Sequence, residues 1–312
     1  MQKDFSIIVC TYNGEEHLGN CLDAILNLEK LHDYVDRVIV VDNNSTDKTK
    51  SIIQSYEEKD SIFVYDFEPI QGLSYARRHA VGIGTKWVIY IDDDNVLKRN
   101  WLIELKKVCD QNDNIGVING AVIADPERPL SEDESIRLKL MYRNLACTHL
   151  EEPTSTDPVN TTPMGAGMCI LSSAIRKINE VGWLSLSGRT GDNLASGEDT
   201  ELCDKVFQMG YKYICNYNMQ MYHLISRKRL TAEYTDRLLT GLVKSRYQLI
   251  SQRRFYILQR LIRLFKYELE RIKSKKSNGK LTKEKIEIYR QKELIAKTFI
   301  QCVYEDRLYR RR

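Results

Sequence analysis

At 312 residues, with 42% apolar and 29% charged side chains, the chain is long enough for a catalytic domain with an appendage, since domains of about 100–200 residues are usual. No run of about 18 apolar residues occurs, and Met1-Gln-Lys-Asp-Phe-Ser6 leads into a strand pattern without an h-region, so a chain that neither spans a membrane nor leaves by the usual signal is expected. The net charge of +4 hides a split: residues 226–312 carry 25 Lys and Arg against 9 Asp and Glu, residues 1–225 carry 22 against 34, and two units with different partners are expected.

In chain order, Phe5 to Cys10 is an apolar run that stops at the turn sequence Thr11-Tyr12-Asn13-Gly14. Leu18, Leu22, Ile25 and Leu26 then share one face of a helix predicted over 15–28. Arg37 to Val41 repeats the strand pattern, ends at Asp42-Asn43-Asn44-Ser45-Thr46-Asp47 and leads into a helix reaching Tyr56. A strand over 62–65, a helix with its lead-in loop over 72–82 and a strand over 87–91 follow. Four β-α alternations predict a mostly parallel, Rossmann-like α/β sheet with helices on both faces.

A helix over 101–109 and a strand over 115–123 come next. From about 125 to 163 the pattern is irregular, with a clear loop at 151–158. A strand over 168–171, helices over 173–181 and 198–209 and a strand over 212–216 complete the first unit. From Thr231 onward, long basic helices are expected, interrupted near 274–279. Arg253 to Lys266 suits an amphipathic basic helix, either lying on an anionic membrane surface or packed on protein. No nucleic-acid motif accompanies the charge, so no nucleic-acid partner is expected. The eight cysteines show no Cys-x-x-Cys and no His at zinc spacing, and are expected to be buried small apolar residues in a reducing compartment.

Asp92-Asp93-Asp94 closes the 87–91 strand, where ligands of open α/β sheets gather. Their oxygens suit Mg²⁺ or Mn²⁺, with substrate phosphates completing the shell. A solvated acidic turn with Asn95 as helix cap is the competing reading. Gly-x-Gly-x-x-Gly and Gly-x-x-x-x-Gly-Lys-Ser/Thr are both absent, so a metal rather than a glycine cradle is expected at phosphate. Asp42 offers an acceptor to a base imide or a ribose hydroxyl, while an Asx turn is the plainer reading for Asn43, Ser45 and Thr46. Ser196 and Asp199 stand at capping-box spacing, and acids in a first turn are favoured by the helix dipole.

Phe5-Ser-Ile-Ile-Val-Cys-Thr-Tyr-Asn13, Val41-Asp-Asn-Asn-Ser-Thr-Asp47, Gly72-Leu-Ser-Tyr-Ala-Arg77, the aspartate cluster and Gly197-Glu-Asp199 together resemble the ordered motifs of GT-A-fold glycosyltransferases of family 2, over about residues 5–225. The resemblance implies a GT-A catalytic domain at 1–225 and a basic helical region at 226–312. It also implies a nucleotide-diphosphate-sugar donor held by Thr11, Tyr12 and Asp42, with Asn13, Asn44 and Gly72 on the donor side. Arg77 is implied to face the diphosphate, and Asp92 or Asp93 the ribose. Asp94 and His223 are implied as ligands of Mn²⁺ or Mg²⁺, and Asp199 as general base. Gly165, Gly167, Glu198 and the loop Gly188 to Gly191 fall on the acceptor side. Arg227 and Arg229 either contact phosphate or begin the basic tail.

The processive-synthase motif Gln-x-x-Arg-Trp is absent, which favours transfer of one sugar at a time. The expectation is thus an inverting transferase acting on a glycan or lipid-linked glycan in bacterial surface-polysaccharide synthesis. A cytoplasmic location, with peripheral contact at the inner face of the membrane, goes with it. A nucleotidyltransferase on a similar sheet and a non-catalytic scaffold are the alternatives.

Overall fold

The computed structural model describes residues 3–148, 163–191, 193–250 and 282–309, without the side chains of Ile250 and 306–309. The amphipathic helix expected over 253–266 and the loop over 151–158 lie outside the described residues.

Strands β1 (Phe5–Thr11), β2 (Val35–Asp42), β3 (Phe63–Phe67) and β4 (Trp87–Asp92) are the four expected from the opening alternations. With β5 (Asn95–Leu97), β6 (Ile115–Pro126), β7 (Met168–Leu171) and β8 (Lys212–Ile225) they form one sheet, ordered β3-β2-β1-β4-β7-β6-β8-β5. The first four pair in parallel, as do β6 and β8, whereas β7 runs antiparallel to β4 and β6, and β5 antiparallel to β8.

Both faces of the sheet are covered, which is why its central strands read as unbroken apolar runs rather than alternating ones. On one side Phe5, Ile7 and Val9 of β1 pack on Leu18, Leu22 and Ile25 of α1 (Leu18–Leu26), Ile53 of α3 (Thr49–Lys59) and Trp101 of α5 (Trp101–Gln111). Leu31, from the short α2 (Leu31–Tyr34), joins that layer. On the other side Ile8 and Cys10 meet Ala76 of α4 (Leu73–Arg78), Ile175 of α7 (Ser172–Val181) and Leu202 of α8 (Glu198–Gln208).

Besides α2 and β5, which the sequence reading does not give, two elements differ from expectation. Residues 125–163, expected irregular, contain α6 (Glu132–Met141), begun by a full capping box: the Glu134 N–H donates to Ser131 Oγ and the Glu134 carboxylate accepts from the Ser131 N–H. Strand β8 runs nine residues past its expected end at 216, because it bulges opposite Gly120 and resumes pairing with β6 through Ile225. A Cβ at Gly120 would collide with the Met219 carbonyl oxygen.

After β8, α9 (Ala232–Ile250) and α10 (Lys283–Tyr309) pack beside α6 and the end of β8. Leu238 and Leu239 of α9, with Leu294 and Ile295 of α10, share an apolar cluster with Met141, Leu145, Ile225 and Leu230. Tyr247 and Phe299 meet edge to face with centroids 5.6 Å apart. Among the described residues no helix is long and apolar enough to cross a membrane. All eight cysteines are free, and seven are buried.

Candidate active site

The carboxyl ends of β1 and β4 open on a cleft of about 1040 Å³, lined among others by Thr11, Tyr12, Arg77, Asp92, Asp93, Asp94, Gly165, Glu198, Asp199, His223 and Arg229. The three aspartates occupy the tight turn from β4 into β5. Asn95 is not a helix cap: it is buried in β5, its Oδ1 accepting from the Asp92 N–H at 3.2 Å and its Nδ2 donating to Asp94 Oδ1 at 3.1 Å. Pairing of β5 with the late part of β8 sets Asn95 opposite His223, and the Leu224 N–H donates to the Asp94 carbonyl at 2.9 Å. The bulge-extended β8 is therefore what delivers the His223 ring to Asp94, Nε2 to Oδ2 at 3.2 Å.

Neighbouring carboxylates are pushed in opposite directions. Asp93 is pushed up to about 7 by burial and by the charge of Asp94, against the 2.6 Å bond it accepts from Thr11 Oγ1. Gly14 makes room for that bond, since a Cβ there would collide with both Thr11 Oγ1 and Asp93 Oδ2. Burial also works to raise Asp94, but His223 and Arg229 outweigh it and hold this carboxyl well below the usual range. Arg229 donates to Asp94 Oδ2 at 2.7 Å and through Nη1 to His223 Nε2 at 2.7 Å.

These residues fit a divalent cation. Bonds of about 2.1 Å to an octahedral ion place adjacent ligand atoms about 3 Å apart, close to the Asp94–His223 separation. A carboxylate with an imidazole suits Mn²⁺, and Mg²⁺ would rely more on the oxygen and on phosphate.

Arg77 lies at the cleft floor, 2% exposed, with Nη1 3.0 Å from Glu198 Oε1 and Nη2 3.6 Å from Asp92 Oδ1. Its guanidinium sits 5.7 Å from the centre of the Tyr90 ring, and a Cβ at Gly165 would collide with it. Where the sequence reading aims Arg77 at a diphosphate, the structure shows it paired with two carboxylates. Burial and the adjacent Asp199 push Glu198 up to about 7 despite Arg77, and Glu198 Oε2 is buried with no hydrogen-bond partner among the described residues.

Helix α8 is capped by Gly197 (φ 113°), so the expected capping box is not formed. The Ser196 N–H donates instead to Ser245 Oγ of α9, and Asp199 Oδ2 accepts from the Gly165 N–H at 3.0 Å while Oδ1 accepts from Thr200. Gly165 therefore has two tasks: its missing side chain leaves room for Arg77, and its N–H orients Asp199.

Other expected donor-side residues hold the loops that frame the cleft. Asp42 is buried and accepts from the Ser45 N–H at 2.8 Å and from the Tyr65 hydroxyl at 3.4 Å, an Asx turn. Asn13 (φ 50°) accepts from the Thr46 N–H, and Asn44 (φ 67°) donates to the Pro69 carbonyl. Gly72 (φ 146°) caps α4 and donates to Asn43 Oδ1. Gly167 faces Met221 and Trp101 in the core rather than the cleft. Arg189, in the loop that the sequence reading places on the acceptor side, lines the cleft; Glu201, which that reading passes over, accepts from the Ser185 and Leu186 N–H groups and ties the 183–191 loop to α8.

The family model described as glycosyl transferase family 2 matches residues 6–177, more than half of the chain. Glucosyl-dolichyl phosphate glucuronosyltransferase of Haloferax volcanii is 22% identical over 236 residues, 72% of this chain and 70% of its own. The poly(ribitol-phosphate) β-N-acetylglucosaminyltransferase TarS of Staphylococcus aureus is 27% identical over 35% of this chain and 19% of its own. The mannosyltransferase PcManGT of Pyrobaculum calidifontis, solved with GDP-Man and Mn²⁺, superposes with a TM-score of 0.65 at 15% identity, over 98% of this chain and 88% of its own. TarS 1–349 with UDP-GlcNAc gives 0.54 at 15% identity, over 78% and 66%.

Proposed function

We propose that this chain, which belongs to glycosyl transferase family 2, is an inverting, metal-dependent enzyme that moves one sugar at a time from a nucleotide-diphosphate donor to a glycan or lipid-linked glycan. The observation that carries this reading is the sharing of one cleft by two acidic centres of different character: Asp94 with His223, and Asp199 held by the Gly165 N–H. Asp94 and His223 would hold Mn²⁺ or Mg²⁺, which when bound supplies neutralisation of the charge on the leaving diphosphate. Thr11, Tyr12 and Asp93 line the side assigned to the nucleotide.

Inversion needs one carboxylate and no second nucleophile. The Asp199 carboxylate takes the proton of the acceptor hydroxyl as its oxygen bonds to the sugar C1. The bond from C1 to the diphosphate oxygen breaks on the opposite face, its electron pair leaving with the nucleoside diphosphate. Arg77 positions rather than reacts: it pairs with Glu198 and Asp92 beside Asp199.

Beyond Asp199 the cleft is walled by Arg237, Leu242, Arg246 and Leu249 of α9. A mixed cationic and apolar wall suits a phosphate-bearing lipid or glycan acceptor, in line with a role in surface-polysaccharide assembly. Replacing Asp199 by Asn tests the base directly. Nucleoside-diphosphate release should fall by about 10²–10⁴-fold while calorimetric donor affinity stays within about threefold; turnover within tenfold of wild type would remove Asp199 from the base role.

A further inference from the structure

We infer that Arg229 is a built-in counter-cation: it holds Asp94 and His223 together in the donor-free enzyme and gives up that place to a divalent cation when a nucleoside diphosphate enters. This rests on the reading of Asp94 and His223 as the metal ligands. The two atoms that such an ion would take, Asp94 Oδ2 and His223 Nε2, both accept from one guanidinium, at 2.7 Å each. Arginine has no acceptor, so the Nη1 contact engages the ring lone pair that a metal would need. The other carboxylate oxygen, Asp94 Oδ1, accepts from Asn95 Nδ2.

The backbone beneath Arg229 is fixed. It lies in the 3₁₀ turn Arg227–Leu230, closed by the Arg229 N–H to the Ser226 carbonyl and anchored by fully buried Leu230. Its side chain, by contrast, is 20% exposed and lines the cleft. Only the guanidinium need turn for the pair to open.

A cation arriving alone must displace two hydrogen bonds from the guanidinium, one at an almost buried carboxylate and one at the imidazole beside it. With a diphosphate present, the displaced guanidinium has new acceptors and the cation gains phosphate oxygens. Metal and nucleotide should therefore bind with positive coupling, each raising the affinity of the other by the same factor.

The test is Mn²⁺ binding, read by electron paramagnetic resonance of the free ion and by calorimetry, without turnover. Wild-type protein should bind Mn²⁺ weakly alone, and at least about tenfold more tightly with saturating UDP or GDP. Arg229→Ala should bind Mn²⁺ alone at least about tenfold more tightly than wild type, with the nucleotide-induced gain reduced. Arg229→Met, which keeps the packing of the stem, should behave likewise and serves where the alanine variant fails to fold. Equal or weaker Mn²⁺ affinity in the variants would overturn the inference while leaving the metal ligands in place. Absence of Mn²⁺ binding in every protein, with either nucleotide, would remove the metal reading and the inference with it.

Discussion

Arg77 is one cation among three carboxylates, since Glu198, Asp92 and Asp199 all act on its charge. Burial, and then the charge of Asp199, raise the Glu198 carboxyl from 4.5 to about 7 against Arg77. A carboxyl raised in the folded state binds its proton more tightly there than in the unfolded chain, so the stability it contributes is complete below pH 4.5 and is lost as pH rises through 7. Glu198→Gln removes that titration. In metal-free, donor-free buffer, the melting temperature of the variant relative to wild type should rise between pH 5 and pH 8, by roughly 2–6 °C for a chain of this size. Parallel melting curves over that range would show that Glu198 remains ionised. At this scale much of the site is legible. Aspartates closing an apolar run and Gly-Glu-Asp opening a helix are the signals, read together because caps and the helix dipole also favour acids at each place singly. What the sequence conceals is how each charge is shared. Arg77 reads as a cation facing a diphosphate, and the structure shows it buried among acids, a placement set by Gly165 and Glu198 from distant segments.

Elements were readable to the extent that their apolar pattern is clean. The strands β1, β2 and β4 follow from runs buried on both faces, and α1 from its stripe of leucine and isoleucine. Helix α6 lacks such a stripe, as only Met141 among its residues is buried; the Ser131–Glu134 spacing is the signal that finds it. The late half of β8 is hidden for another reason: it alternates buried and half-buried residues, and depends on a bulge whose cause is the missing side chain of Gly120. That bulge carries functional weight, for it brings His223 to Asp94. The junction of α9 with the cleft is equally tight. A Cβ at Gly241 would collide with the Leu194 carbonyl oxygen, so Gly241→Ala should cost about 1–3 kcal/mol and lower Tm by roughly 2–9 °C. Gly84→Ala, with nothing within 4 Å, is the control that should leave Tm nearly unchanged. Equal Tm values for both would show that the contact relaxes without cost.

Across the molecule, part of the basic excess of the C-terminal segment is met internally, by Lys283 with Glu132 at 2.6 Å and by Arg290 with Asp236. Exposed pairs of this kind contribute little to stability, and the shared apolar cluster of α6, α9 and α10 is the stronger tie. The reading of peripheral membrane contact rests on the basic stretch 253–266, and predicts co-sedimentation with anionic but not neutral vesicles, weakened at 0.5 M salt as a surface charge effect must be. Failure to sediment with anionic vesicles would contradict it. The central claim is that the Asp94–His223 pair and the cleft around it bind a nucleotide-diphosphate sugar through a divalent cation. Its most direct test is calorimetric binding of UDP-, GDP- and dTDP-sugars with Mn²⁺, then with a chelator, then to Asp94→Ala. The account predicts that a donor binds with Mn²⁺ and loses at least about 1.4 kcal/mol, a tenfold weakening, in both the chelator and the variant. Donor binding indifferent to both, or absent with every donor in the presence of Mn²⁺, would contradict it.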